Sequence, residues 1–527
     1  MATRSGGREL PGRLSFAADS PLMAVAGALA LGIMVVATRV PLATHHLLNW
    51  DAVQFALGIQ HFDLAHHQPH PPGYIGYIAL GRLLLPAFGD PNTALVALSI
   101  AGEVGGVIAA FFFARALFGT PAAWITAAAL MTSPLFWYYG EAANTYALEP
   151  LLALGVAWFS WRAWNGDRRV AVPTALVLAA GGAIRPSAAV LLAPMAVYSV
   201  WRGARPGLLP ALLAGVVATA AWLVPLAVLA GGMAAVWHDS TALGADVTAG
   251  TAIWRAGPAG LLTTTEGVAR GIGWELGGFV VLGLFGLGIA PRLTGVDPRL
   301  PAGWARFCWL WSLPALLTFL FIHIGQVVYV GIFTPAVTLS LGPAVMAGVK
   351  AVGRPALAAP ATAAAAVLSV LVFLLPPVDS LAGQQRAHDV WVEQLQATVR
   401  SYDPVHTVLV TDAYAPGSYR TSQYYLPEYH RVAVAVDRMG RLGVAFADSY
   451  TPSGLDETRP LQFPPETDTY LFVDRSVVDS VVGNPQRLRT IKLSNGARIY
   501  VWQGPAPTVR HGVIWLGSPA GRPRGLS

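Results

Sequence analysis

Long apolar runs, each near the roughly 20 residues that a membrane helix needs, alternate with short loops rich in Arg, Gly and Pro as far as residue 376. They lie at 21–40, 93–114, 121–139, 145–161, 170–184, 187–201, 208–231, 274–291, 304–322, 327–349 and 356–376, about eleven spans in all. The stretch from Gly73 to Phe88 is apolar but short, with Arg82 in its middle and Pro86 near its end. If it spans, the loops holding Arg162, Arg168 and Arg169, then Arg202 and Arg205, then Arg292, Arg299 and Arg306, and finally Lys350 and Arg354 all face outside, against the positive-inside bias. If it lies in the interface or re-enters, those loops and Arg115 are cytoplasmic. The second reading is adopted. With Arg4, Arg8 and Arg13 ahead of it and no clean cleavage site behind it, the first run reads as an uncleaved anchor whose N-terminus is cytoplasmic.

This orientation leaves 41–92, Gly140 to Thr145, the Arg185 turn, 232–272, His323 to Gln326 and everything from Pro377 onward outside. After residue 376 the pattern changes. A helical period at 384–400 precedes strand-like runs VHTVLV, RVAVAV, TYLFV, RTIKL and ARIYVW, separated by Pro, Gly and Asp turns. The expected architecture is therefore a mainly α, polytopic transmembrane bundle over 1–376, with outer loop 41–92, followed by an extracytoplasmic α/β domain over 377–527.

Composition narrows the function. Of 527 residues, 54% are apolar and only 12% charged, a charge deficit that excludes a disordered chain, a coiled coil or a soluble enzyme. The single Cys308 excludes a disulfide framework and a Cys-based metal site. The net charge of +6 is spread between apolar segments, so it sets topology, and no nucleic-acid partner is expected. High Ala, Gly and Arg with almost no Lys fits a GC-rich bacterial source, a plasma-membrane location and an outer side facing the periplasm or cell exterior.

The chemistry-bearing residues crowd onto the outer side. Asp51 and Gln54, three apart, share a helix face, with Trp50 and Phe55 placed to grip the membrane surface. A carboxylate beside a bilayer can act as a general base, because partial desolvation raises its proton affinity; the competing reading is a helix cap. His61, His66, His67 and His70 with Asp63 form a dense cluster. Its spacing matches no standard zinc motif, so hydrogen bonding or phosphate contact is favoured over a divalent metal. The run PHPPGY makes a rigid turn, with Gly73 permitting close backbone approach. Glu141, Asn144 and Tyr146 occur in WYYGEAANTYAL. Arg185, in AIRPS, has no neighbouring acid in sequence and would be costly there unless it meets an anion. His323, Gln326 and Tyr329 occupy another outer turn. A carboxylate, an Arg and several His at one membrane face point to transfer from an anionic lipid.

Taken together, WDAVQF, HPPGYIGY and EAANTYAL resemble the signatures of GT-C polytopic glycosyltransferases, most nearly the O-mannosyltransferase-like family, over about the first 200 residues. The resemblance implies an inverting enzyme that takes a monosaccharide from a polyprenyl-phosphate donor, with no nucleotide sugar and no cofactor. It makes Asp51 the first-loop catalytic acid residue. Many such proteins carry a second acid close by, where this chain has Gln54; a mechanism needing two carboxylates in this loop, or a bound divalent cation, is therefore not carried over.

The mechanism that fits both lines has Asp51 as base toward an acceptor hydroxyl of a protein or glycan, Arg185 as the cation for the departing phosphate, and His66, His67 and His70 as donors beside it. His323 and Tyr329 complete the phosphate or sugar pocket, and Gln54, Glu141, Asn144 and Tyr146 contact substrate. Two other classes compete. A secondary transporter predicts paired broken helices in two related halves, and no such repeat is present. A non-catalytic assembly factor for cell-envelope glycans predicts that the tail carries the function. The tyrosines Tyr414, Tyr419, Tyr424, Tyr425 and Tyr429 make sugar stacking by the tail an expectation, with a structural lid as its alternative.

Overall fold

The computed structural model describes residues 21–289, 291, 292, 295, 298, 300–375, 380–412, 419–436, 442–446, 466–510 and 513–517. Arg4, Arg8, Arg13, Arg299 and Tyr414 lie outside the described residues.

Up to residue 374 the described residues are mainly helical. The first ten α-helices are α1 (Pro21–Arg39), α2 (Trp50–Gln60), α3 (Ile75–Phe88), α4 (Pro91–Phe118), α5 (Thr120–Met131), α6 (Pro134–Gly140), α7 (Glu149–Trp164), α8 (Ala171–Ile184), α9 (Pro186–Gly203) and α10 (Leu208–Leu229). Each of the eleven expected runs coincides with helix, but not every run is one straight rod. Five helices are long and apolar enough to cross a membrane, or six with one bent pair counted as a span. The 121–139 run breaks at Ser133, whose hydroxyl accepts from the Phe136 N–H and so starts α6 anew. The 274–291 run begins at the end of the helix Ile253–Leu276 and turns through 94° into Phe279–Ile289. Gly277 takes φ 51°, and Gly278 lies so close to the helix Ala358–Leu374 that a Cβ would strike the Ala365 carbonyl.

The core of the bundle is aromatic. Trp161, Trp304, Phe307 and Trp311 interlock at one end, and Tyr139, Tyr146 and Tyr329 cluster at the other. A second cluster packs Phe55, Tyr74 and Tyr77 beneath α2 and α3. Phe55 is thus in the core, and its expected membrane-gripping role is not what the fold gives it. Helix α3, at about 21 Å, falls short of the roughly 30 Å hydrocarbon core. Its Arg82 donates to the Gly58 and Ile59 carbonyls at 2.9 Å each, satisfying carbonyls in the last turn of α2 with a cation.

The C-terminal region opens with the helix Leu381–Val399 and builds a six-stranded mixed sheet from β1 (Thr407–Asp412), β2 (His430–Val436), β3 (Leu442–Phe446), β4 (Thr469–Phe472), β5 (Arg489–Lys492) and β6 (Arg498–Gln503). The order is β3-β2-β1-β4-β6-β5, with β1 parallel to β2 and β4 and the outer pairs antiparallel. The five expected strands are all present. β3, the small hairpin Thr508–Arg510 and Val513–Trp515, and the short helices Tyr419–Tyr425 and Arg475–Val481 add to them. This region is fastened to the first loop. The Asp389 carboxylate accepts from the His45 and His46 N–H groups at 3.0 and 2.8 Å, and the Leu47 N–H donates to the Tyr425 hydroxyl at 2.8 Å.

Candidate active site

Asp51 sits in the first turn of α2, yet the helix cap is Asn49, whose side chain accepts from the Ala52 N–H at 3.0 Å. Asp51 Oδ2 instead accepts from the Tyr146 hydroxyl at 3.0 Å. The carboxylate is therefore held by a side chain from the junction before α7, and the capping alternative goes to its neighbour.

Tyr146 also connects to the cation. The Arg185 guanidinium lies 4.4 Å over the Tyr146 ring and 5.1 Å over the Tyr329 ring, and it donates to the Thr145 hydroxyl at 2.9 Å. The sequence shows no acid beside Arg185, but the fold supplies one: Glu149, at the start of α7, forms a buried ion pair with it. A buried guanidinium without such a partner would be strongly destabilising. Arg185 thus meets its anion within the fold, in Glu149.

Loop 61–73 closes the other side. Asp63 and Gln68 exchange backbone hydrogen bonds, which folds DLAHHQ into a miniature hairpin. His66 is turned onto Asp63 at 2.6 Å, outward from the site. His67 takes φ 57° and is buried; desolvation, with Arg420 and the other imidazoles adding to it, pushes its pKa down to about 3. His70 packs its ring 4.6 Å from Tyr74 and 5.2 Å from Phe55, and its Nδ1 is buried with no partner among the described residues. Burial lowers its proton affinity, which the Asp51 charge opposes and Arg185 and Arg420 reinforce. His67 is thus a neutral imidazole at pH 7, and His70 is biased the same way, so they offer hydrogen bonds more readily than charge. Gly73, at φ 103°, brings the HPPGY turn against α10, where a Cβ would strike Leu226.

Several other expected residues are placed differently. Gln54 is 1% exposed and Asn144 fully buried, and Gln54 Nε2 and both Asn144 amide atoms lack partners among the described residues. Glu141 has partners of its own: it accepts from the Trp137 indole, whose ring carries the Arg39 guanidinium at 4.1 Å, and burial pushes its pKa up to about 8. His323 bonds to the Thr251 hydroxyl at 3.0 Å and reaches the centre only through Tyr329, 6.5 Å away between rings. Tyr139, which donates to Gln326 at 3.4 Å, adds to the aromatic floor. The described tail tyrosines serve packing: the Tyr429 hydroxyl caps the Val399 and Tyr402 carbonyls, Tyr419 is fully buried, and Tyr424 and Tyr425 pack against the Phe55 cluster. Among the described residues, no group of three His, Cys, Asp or Glu side chains gathers as a metal site.

Residues 69–230, which contain the HPPGY turn, Tyr146 and Arg185, match the model of the dolichyl-phosphate-mannose-protein mannosyltransferase family. No curated protein matches the chain. The crystal structure of ArnT from Cupriavidus metallidurans in the apo state superposes with a TM-score of 0.56 at 12% identity, over 91% of this chain and 97% of that one. The same protein bound to undecaprenyl phosphate gives 0.54 at the same identity and coverage. An Archaeoglobus fulgidus oligosaccharyltransferase tethered to an acceptor peptide gives 0.48 at 13% identity, over 78% of this chain and 64% of that one. The partial family match and the shared ArnT fold together indicate a membrane glycosyltransferase with the GT-C fold.

Proposed function

We propose that the chain moves a monosaccharide from a polyprenyl-phosphate donor to a hydroxyl of a protein or glycan acceptor on the extracytoplasmic side of a bacterial plasma membrane. The 1–376 bundle is the catalytic module and the 377–527 region an outer α/β domain. The observation that carries this reading is Tyr146, which holds Asp51 through its hydroxyl and Arg185 on its ring. A base and a cation fixed about one side chain suit a displacement in which a proton leaves one reactant while negative charge grows on the other.

Asp51 takes the proton of the acceptor hydroxyl as its oxygen bonds to the anomeric carbon. The bond from that carbon to the phosphate oxygen breaks on the opposite face, so configuration inverts, and the phosphate leaves with the electron pair. Thr145 and Arg185 fix the cationic side of the site, and the His70 imidazole, packed on Tyr74 and Phe55, stands in the fields of both Asp51 and Arg185. An apolar groove of about 1020 Å³ along α8, α9 and α10 includes Pro186, next to Arg185, and supports an isoprenoid tail running from that point. The ArnT fold, solved in one case with undecaprenyl phosphate, supports the same donor class.

The test is transfer of radiolabelled sugar from a panel of polyprenyl-phosphate sugars to native membrane acceptors. Wild type gives product, and Asp51→Asn loses about 10²- to 10⁴-fold of it while still binding donor. A folded Asp51→Asn variant that transfers as well as wild type would remove Asp51 from the mechanism.

A further inference from the structure

The short segment 145–149 grips Arg185 in three different ways. The Thr145 hydroxyl accepts from Nη1 at 2.9 Å, the Tyr146 ring lies 4.4 Å from the guanidinium, and the Glu149 carboxylate pairs with Nε. The 3₁₀-helix Thr145–Leu148 runs directly into α7, so one continuous piece of backbone carries all three side chains. Arg185 and Glu149 are only 5% and 2% exposed, so water does little to screen either charge. Glu149 Oε2 has no hydrogen-bond partner among the described residues. It faces Gly331, where even a Cβ would stop 3.7 Å away. One oxygen of this carboxylate is thus spent on Arg185, and the other carries negative charge that no donor disperses.

The pair bears on turnover because of what transfer does to the phosphate. The donor is a phosphodiester with one negative charge. Once the bond to the anomeric carbon has broken, the lipid keeps a phosphate monoester, which carries about 1.5 to 2 negative charges at pH 7. Asp51 holds the acceptor proton until it passes it to water, and the site then contains two carboxylates and a near-dianion against Arg185. A buried guanidinium with no acid beside it would hold that monoester more tightly than the donor that must replace it. We infer that Glu149 is a positioning residue acting through Arg185: it fixes the guanidinium and cancels enough of its charge for the spent lipid phosphate to leave. This rests on the transferase reading above.

The experiment measures binding of undecaprenyl phosphate, its methyl ester and undecaprenol to the full-length protein in lipid nanodiscs. The methyl ester keeps one negative charge, as the donor does. Wild type is expected to bind monoester and methyl ester within about threefold of each other, and both more tightly than undecaprenol. Glu149→Gln keeps the size of the side chain and removes its charge. It is expected to bind the monoester about tenfold more tightly, with a smaller gain for the methyl ester and none for undecaprenol. In transfer assays the same variant shows a lower kcat together with a lower KM for the lipid donor, because release of the spent lipid becomes slow. Glu149→Asp, which keeps the charge, retains the wild-type ratio of monoester to methyl ester. Unchanged or weaker monoester binding in Glu149→Gln, or an equal change for all three ligands, would overturn the role of Glu149 and leave the transferase reading standing. If Glu149→Gln does not fold, the wild-type ratio decides: a monoester preference beyond about threefold marks an uncancelled cation and overturns the inference as well. No preference for either phosphate over undecaprenol in wild type would overturn both readings.

Discussion

Tyr146 does two jobs that one substitution separates. Tyr146→Phe deletes the hydroxyl that donates to Asp51 but keeps the ring beneath Arg185. Without the donor, the carboxylate loses a fixed orientation, a defect felt as the proton moves and not when the donor lipid binds. The expected outcome is about a tenfold fall in kcat with KM for the lipid donor little changed, read from steady-state transfer kinetics. Gly140 tests stability instead. A Cβ there would run into the Glu103 carboxylate, which pairs with Arg39 at 2.5 Å inside the bundle. Gly140→Ala is expected to cost about 1–3 kcal/mol, seen as a lower melting temperature of the detergent-solubilised protein. Asp51 and Arg185 were legible in the sequence because an ionisable group is conspicuous against an apolar background. Glu149 was not, since what makes it matter is a partner far along the chain.

At the scale of elements, the sequence announced loop 61–73 as rigid, and the fold shows what the rigidity positions. Gly73 docks the turn on Leu226, the hairpin turns His66 outward, and His67 is driven into the interior. Burying an imidazole whose pKa falls to about 3 links this loop to pH. Since the unfolded imidazole titrates near 6.5, the unfolded chain takes up the proton first. The contribution of His67 to stability is therefore complete above about pH 6.5 and is lost as pH falls toward 3. Melting temperatures of wild type and His67→Gln, measured from pH 7.5 to 4, should converge as the pH drops, with the variant flatter; parallel curves would assign the acid sensitivity elsewhere. Strands with strict alternation were readable, as was the helix before them. The breaks at Ser133 and Gly277 were not, because an apolar run looks the same whether a capping serine or a glycine pair interrupts it.

Across the whole molecule, α7 runs between two contrasting ends. Its first residue, Glu149, is paired with Arg185 at the candidate site, while Trp164 at its last turn lies beneath Arg202 and beside Tyr198 and Phe307. The Arg162–Asp167 pair and the Arg205 turn lie near that second end. The separation of about 24 Å along the helix puts most of a hydrocarbon core between the arginine-rich loops and Asp51. By the positive-inside bias, those loops are expected to face the cytoplasm and Asp51 the outside, the side on which the proposed transfer from a lipid-linked sugar would take place. The single cysteine makes this accessible to experiment. In a Cys308→Ser background, a membrane-impermeant maleimide applied to intact cells should label Ala65→Cys, an exposed position in the loop beside the site, and should label Asn165→Cys only after permeabilisation. The opposite pattern would invert the molecule and place the candidate site, together with the sheet fastened to it through Asp389 and Tyr425, on the side where soluble nucleotide sugars are found. The case for a polyprenyl-phosphate donor would then lose its physical basis, because the lipid carrier answers the need for an activated sugar on the side that nucleotides do not reach.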